Sequence, residues 1–178
     1  MSILLPIERT WDGRPTRPKE RVDVRLTAAS GVLEIEVDAP LGEDPCPRRP
    51  TGPTDQLWEH EVVELFVVDA RDRYTEIELG PWGHHLVLQL SGPRVASARC
   101  LPLEYRARID GPRWTGLARL AWDLLPPAPH RVNAFAIRRI EGARRFFAWS
   151  PVAGARPDFH RIELFPTLEL PRLDGESR

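Results

Sequence analysis

Residues 57–69 read LWEHEVVELFVVD, and the second half of this stretch decides the fold. Its apolar residues occupy both parities, whereas a strand with one solvated face would alternate apolar and polar residues. A short apolar run of this kind is typical of a strand that is covered on both faces. The stretch therefore predicts the central strand of a sheet.

The residues that follow predict two more strands in a meander. The segment ARDR (70–73) forms a turn, and YTEIELGP (74–81) alternates with Ile77 and Leu79 on one side. A Gly-Pro-Trp-Gly turn then leads into HHLVLQL (84–90). We expect three consecutive antiparallel strands.

Outward from this centre, the chain reads as short strands separated by turns. A hairpin precedes it, a proline-rich surface loop is predicted at about 40–56, and a second hairpin follows. The last strands are predicted in VNAFAIRRI, RRFFAWS and FHRIELF. About nine strands at this spacing indicate an all-β fold, an antiparallel β-sandwich. The length of 178 residues fits one domain over 1–178.

Composition excludes several classes of function. With 42% hydrophobic and 29% charged residues the chain is typical of a globular protein. A formal net charge of -1 supplies no basic field, so we expect no nucleic-acid partner. The sequence has no export signal and no apolar run of membrane-spanning length. We therefore expect a cytoplasmic protein without a membrane partner, and no feature indicates a protein partner.

Strand parity brings a candidate site together. Trp58 and Glu64 share a parity on the central strand, and Tyr74, Glu76 and Glu78 share one on the next. If residues 69–73 form the turn, Glu64 lies opposite Glu78, and Phe66 lies opposite Glu76. Aromatic rings stack on the apolar face of a sugar, while carboxylates bind its hydroxyls. The pattern is compatible with a site for a carbohydrate or carbohydrate-like small ligand.

Three other interpretations remain open. Glu76 and Glu78 could simply form the solvated face of an edge strand, neutralised by arginines. The carboxylates could instead serve a hydrolase, because glycosidases use two acids about 5 to 9 Å apart. A protein-interaction module is the third alternative. The sequence carries none of the common nucleophile, phosphate-binding or zinc motifs, and Cys46 and Cys100 are far apart. We expect a binding domain rather than an enzyme, with no metal and no cofactor.

Three segments together resemble a known family: LWEHEVVELFVVD, YTEIELGPWGHHLVLQLSG, and FAWSPV followed by PDFHRIELF. They are similar to the DOMON-like superfamily, which includes the family nine carbohydrate-binding modules, and within it to an uncharacterised family shared by bacteria and animals. The resemblance covers roughly residues 57–170. It implies a β-sandwich, and its better-known members bind sugars while some relatives bind haem. No matching haem-ligand pattern is present.

The resemblance also implies which residues contact a ligand. In the sugar-binding modules a Trp and a Glu of the strand motif do so, and these match Trp58 and Glu64. A second Trp comes from the loop before the last strand, and that loop here reads AGARPDFHR without a Trp. Arg156 or the nearby Phe159 would take its place.

Overall fold

The computed structural model describes residues 2–171, which contain thirteen β-strands and no α-helix. In this range no helix is long and apolar enough to cross a lipid bilayer. The strands are, in chain order, β1 Ser2–Ile7, β2 Arg9–Thr10, β3 Val22–Ala29, β4 Val32–Pro40, β5 Gly52–Pro53, β6 Val62–Val68, β7 Tyr74–Leu79, β8 His84–Leu90, β9 Ala96–Ala98, β10 Glu104–Asp110, β11 Arg113–Ala121, β12 Arg131–Ile140 and β13 Ala143–Ala148. Four 3-10 turns cover Pro18–Glu20, Leu57–Glu59, Trp122–Leu124 and Ile162–Leu164.

The strands form two packed sheets. One has the order β1-β3-β4-β11-β10, and the other has the order β2-β13-β12-β6-β7-β8-β5, with β9 also paired to β8. All pairings are antiparallel except the two-residue contact between β5 and β8. The predicted antiparallel β-sandwich is confirmed, with β6 in the middle of the larger sheet.

One face of β6 contributes to the core between the sheets. Val63, Leu65 and Val67 are buried there in one apolar cluster with residues from the five-stranded sheet. The strands of that smaller sheet alternate, so β3 and β4 place every second residue inward, as the sequence pattern predicts. This core is what joins the two layers.

The opposite face of β6 is buried as well. Val62, Phe66 and Val68 belong to a second apolar cluster on the outer side of the larger sheet. The segment 150–165 covers this face, and it contributes Val152, Phe159, Ile162 and Phe165 to the cluster. Every residue of β6 is consequently buried, as the double parity of its apolar residues predicts.

The covering segment corrects one sequence prediction. FHRIELF was expected to be a strand, but residues 159–165 form a loop with the 3-10 turn Ile162–Leu164. Its buried residues Phe159, Ile162 and Phe165 are three apart, which suits a 3-10 turn rather than the period of two of a strand. The sequence interpretation also missed β1, which pairs with β3 at the edge of the smaller sheet.

Substitution of Leu65 by alanine should destabilise the protein by about 2 to 5 kcal/mol, because it leaves a cavity in the core between the sheets. Leu164→Ala is a matched control, since Leu164 is 42% exposed whereas Leu65 is 2% exposed. Urea denaturation of both variants measures the two free energies of unfolding. Equal losses of stability would contradict the assignment of Leu65 to the core.

Candidate ligand-binding site

A cavity of about 430 Å³ opens on the outer face of the larger sheet. Glu64 of β6, Glu76 of β7, and Leu88 and Leu90 of β8 line its wall. Further lining comes from β12, from β13, from residues 94–99, which include β9, and from the loop segment 157–160. The cavity therefore lies beside the second apolar cluster and is bounded by the loop that covers it.

The register between β6 and β7 brings three glutamates together. Glu64 lies opposite Glu78, and Phe66 lies opposite Glu76, as the position of the turn at 69–73 predicts. The exposed fractions of Glu64, Glu76 and Glu78 are 2%, 3% and 0%. Glu64 and Glu76 line the cavity, whereas Glu78 is the fully buried cross-strand partner of Glu64. We call these three residues the glutamate cluster.

Burial dominates the electrostatics of the glutamate cluster. It raises the pKa of Glu64 to about 8, and the guanidinium of Arg144 opposes this shift. Burial, followed by the charge of Glu64, raises the pKa of Glu76 well above 4.5. The pKa of Glu78 is raised well above 4.5 by burial and then by Glu64 and Glu76. Near neutral pH the cluster therefore retains protons.

Other buried acids of the protein are satisfied by hydrogen bonds. Glu61 accepts the backbone N–H of Gly42 with both carboxylate oxygens at 2.9 Å, and Asp69 accepts the backbone N–H groups of Arg71 and Arg73. In the glutamate cluster, by contrast, Oε2 of Glu76 and both oxygens of Glu78 are buried without a hydrogen-bond partner. Buried polar atoms without partners are rare and point to an unfilled role.

Trp58 is held at the cavity by a side chain from another strand. It lies in the 3-10 turn Leu57–Glu59, and its ring is half-buried against the second apolar cluster. The guanidinium of Arg144 on β13 donates hydrogen bonds to the backbone carbonyls of Trp58 and Glu59. Arg144 also lies over the ring of Phe146, with its Cζ 5.7 Å from the ring centroid. These hydrogen bonds hold the backbone turn that carries Trp58, and part of its ring remains accessible.

Tyr74 supports the cavity from behind. Its oxygen accepts the backbone N–H of Arg94 at 3.2 Å, so its own O–H is left to donate to Nδ1 of His160 at 2.6 Å. The pKa of His160 is lowered to about 4, chiefly by burial and also by the charge of Arg94, while Asp158 opposes the shift. The imidazole is therefore neutral near pH 7, and the hydrogen-bond network assigns its proton to Nε2. His160 lines the cavity and can donate from this atom.

The structure brings together most of the residues that sequence reasoning selected. Trp58, Glu64 and Glu76 line the cavity, and Glu78 and Tyr74 are buried next to lining residues. Arg156 is not brought to the cavity, because its side chain is exposed on the covering loop. Phe159 of the same loop does line the cavity and stacks on Phe135, with ring centroids 4.0 Å apart.

Sequence reasoning missed the basic and acidic groups of the cavity: Arg94, Arg99, Arg144 and Asp158. Arg144 shares its parity with Phe146 on β13, so a correct pairing of β13 with β12 would have placed both beside the site. Of the two other arginines, Arg94 lies in the turn after β8 and Arg99 directly follows β9, and no periodic signal indicates their direction. No three His, Cys, Asp or Glu side chains within residues 2–171 are arranged to hold a metal ion.

Replacing Glu78 by glutamine should make stability less dependent on pH. Because the pKa of Glu78 is raised above its ordinary value of 4.5, its favourable contribution is complete below about pH 4.5 and is lost as the pH rises through the folded-state pKa. For each proton that the folded cluster keeps and the unfolded chain has lost, the free energy of unfolding falls by up to about 1.4 kcal/mol for each unit by which the pH rises. From about pH 5 to about pH 8, Glu78→Gln should gain stability relative to the wild type.

Urea denaturation at several pH values measures this difference, and Glu163→Gln, at an exposed position, is the control. A difference between Glu78→Gln and the wild type that does not change with pH would show that Glu78 is solvated or paired in solution.

Solved structures of similar fold include carbohydrate-binding proteins. A "putative carbohydrate-binding protein" from Bacteroides uniformis matches with a TM-score of 0.67 and 17% identity, covering 96% of this chain and 86% of its own. A family 9 carbohydrate-binding module from Caldicellulosiruptor kristjanssonii matches in two complexes. The cellotriose complex gives a TM-score of 0.58 at 12% identity, covering 88% and 78%, and the glucose complex gives 0.60 at 14%, covering 94% and 84%. At these identities the likeness concerns the fold.

Relatives in sequence span nearly the whole chain. No protein-family model matches it. The UPF0462 protein C4orf33 homolog of Mus musculus is 41% identical over 96% of this chain and 93% of its own length. The UPF0462 protein C4orf33 of Homo sapiens is 38% identical, and the homolog of Danio rerio is 36% identical; each covers 96% of this chain and at least 90% of the relative. The chain belongs to the UPF0462 family.

Proposed function

We propose that the cavity on the larger sheet binds a carbohydrate or a carbohydrate-like small ligand. The observation that carries this proposal is the pairing of an accessible Trp58 ring with two buried carboxyl groups, Glu64 and Glu76, in one cavity. Its volume of about 430 Å³ lies within the range of small-molecule sites. A cavity of this size suits a ligand of one or a few sugar units.

The lining offers both kinds of contact that a sugar ring uses. Trp58, Phe146 and Phe159 present aromatic surface, and Leu88 and Ile137 extend it with apolar surface. These groups suit the C–H face of a pyranose, since aromatic contacts contribute beyond the area that they bury. The family 9 modules with cellotriose and glucose share this fold, which supports the same class of ligand.

The polar lining suits hydroxyl groups. Glu64 and Glu76 supply carboxyl oxygens, and Nε2 of His160 supplies a donor. A hydroxyl both donates and accepts, so it can bridge a carboxyl oxygen and a donor on the opposite wall. Oε2 of Glu76, which has no hydrogen-bond partner within the protein, would then be satisfied by the ligand.

Replacement of Trp58 by alanine should weaken sugar binding by about tenfold or more, because the ring supplies stacking worth about 1 kcal/mol in addition to its buried area. Glu64→Gln should also weaken binding, while burial of a neutral side chain keeps the protein folded. Trp82→Ala and Glu163→Gln are matched controls outside the cavity. A glycan array selects the sugar, and calorimetric titration measures the dissociation constants.

Equal affinities of the wild type, Trp58→Ala and Glu64→Gln for that sugar would place binding elsewhere. The absence of binding to any sugar on the array would overturn the proposal itself. Thermal denaturation of each variant shows whether a loss of binding reflects unfolding.

A glycoside hydrolase is the second candidate function. Glu64 and Glu76 both line the cavity and both have a raised pKa, which is the property of a general acid. They are diagonal neighbours on adjacent strands, a relation that puts the two residues about 7 to 8 Å apart and their Cβ atoms somewhat closer. Turnover of aryl glycosides that is abolished by Glu76→Gln would favour this function, and saturable binding without turnover would favour the binding module.

A further inference from the structure

The glutamate cluster lacks a cationic partner of its own. None of the ion pairs found among residues 2–171 includes Glu64, Glu76 or Glu78. Asp69, which is equally buried, is paired with Arg73 at 2.7 Å. Buried carboxylates are ordinarily paired or protonated, because an isolated buried charge is strongly unfavourable. The cluster therefore offers carboxyl groups that a cation could ionise and pair with, and the protein supplies no such cation in an ion pair with them.

The three arginines of the cavity are engaged by other groups. Arg94 pairs with Asp158 at 2.6 Å, and Arg99 pairs with Asp55 at 3.0 Å. Arg144 donates to the carbonyls of the Trp58 turn and lowers the pKa of Glu64 only from a distance. Two of the three positive charges thus already have a carboxylate partner, and the third holds the backbone. None of the three arginines forms an ion pair with Glu64 or Glu76, so a cation from a ligand can pair with these carboxyl groups.

A primary ammonium group supplies the positive charge and the N–H donors that Glu64 and Glu76 lack. It is compact and carries three N–H donors, so it can donate to Glu64 and Glu76 together and still bind one more acceptor. A hydroxyl has one donor and cannot neutralise a carboxylate. Resting on the proposed function, we propose that the ligand is an amino sugar, or a sugar-like molecule with a primary amine, whose ammonium group lies between Glu64 and Glu76.

Proton release is the signature of this arrangement. On its own the glutamate cluster retains protons near pH 7, because burial favours the neutral carboxyl groups. Entry of an ammonium group favours the ionised form and displaces protons into solution. Asp158, His160 and the three cavity arginines face the same space. In spite of burial, the pKa of Asp158 is lowered by its hydrogen bond from Arg94, and the pKa of His160 is lowered to about 4 by burial, so neither group changes its charge near pH 7. The released protons therefore come from the cluster.

Isothermal titration of the full chain with D-glucosamine, D-glucose and N-acetyl-D-glucosamine tests the proposal. At about pH 7, glucosamine should bind about tenfold or more tightly than the two neutral sugars. Its heat of binding should differ between phosphate and Tris buffers, because protons released on binding are taken up by the buffer. The neutral sugars should show no such difference.

Glu76→Gln should remove the preference for glucosamine and reduce the proton release while leaving glucose binding measurable. Glu36→Gln, on the other sheet and 55% exposed, should change neither quantity. Glucose binding as tight as glucosamine binding, and dependent on Trp58, would overturn this inference and leave the proposed function standing. Tighter binding of D-glucuronate than of glucosamine would also overturn it. If no sugar bound at all, both proposals would fail.

Discussion

The fold depends on covering both faces of the central strand β6. The strand has seven buried residues, and its two faces belong to two separate apolar clusters. The smaller sheet covers one face, as in any sandwich, but the other face needs a second cover, which the segment 150–165 provides. Phe66 on that face contacts rings from both the sheet and the cover. The cavity exists because this cover leaves part of the sheet open.

The same constraint explains why the glutamate cluster is unusual. Its residues share their face of the sheet with an apolar cluster, and a strand position of this kind is normally filled by an apolar side chain. Three carboxyl groups at such positions oppose folding through desolvation and mutual repulsion. Oε2 of Glu76 and both oxygens of Glu78 have no hydrogen-bond partner, whereas both oxygens of Glu61 accept the backbone N–H of Gly42. Sites that conflict with local stability in this way are typically functional.

Gly42 packs closely against the carboxylate of Glu61. A Cβ atom at this position would lie 2.7 Å from Oε2 of Glu61 and 3.0 Å from the carbonyl oxygen of Arg139. The backbone N–H of Gly42 can approach both carboxylate oxygens only because no side chain intervenes. The carboxylate of Glu61 is thus held in close contact with the backbone of Gly42, whereas Glu64 and Glu76 of the glutamate cluster line a cavity.

Local patterns predicted the middle of the protein well. Apolar residues at both parities identified β6, and the turn at 69–73 set the register that joins Glu64 to Glu78. Those signals lie within one meander. The contributions of Arg144 and of the covering loop could not be predicted, because β12 separates β13 from β6 and is distant from β6 in sequence. The loop at 159–165 was mistaken for a strand because its apolar residues were counted without their spacing of three.

Arg144 joins the Trp58 turn to β13, so one side of the cavity is tied to the core strands. The residues around the cavity therefore differ in how strongly a substitution would affect folding. Glu64 and Glu76 lie on the core strands β6 and β7, beside the second apolar cluster. A substitution there would disturb folding together with the proposed ligand binding. Residues 94–99, which include the short strand β9, and the loop residues 157–160 border the same cavity without lying in the middle of the sheet. If the cavity binds the proposed ligand, substitutions at this rim would change the ligand preference with little effect on the core strands.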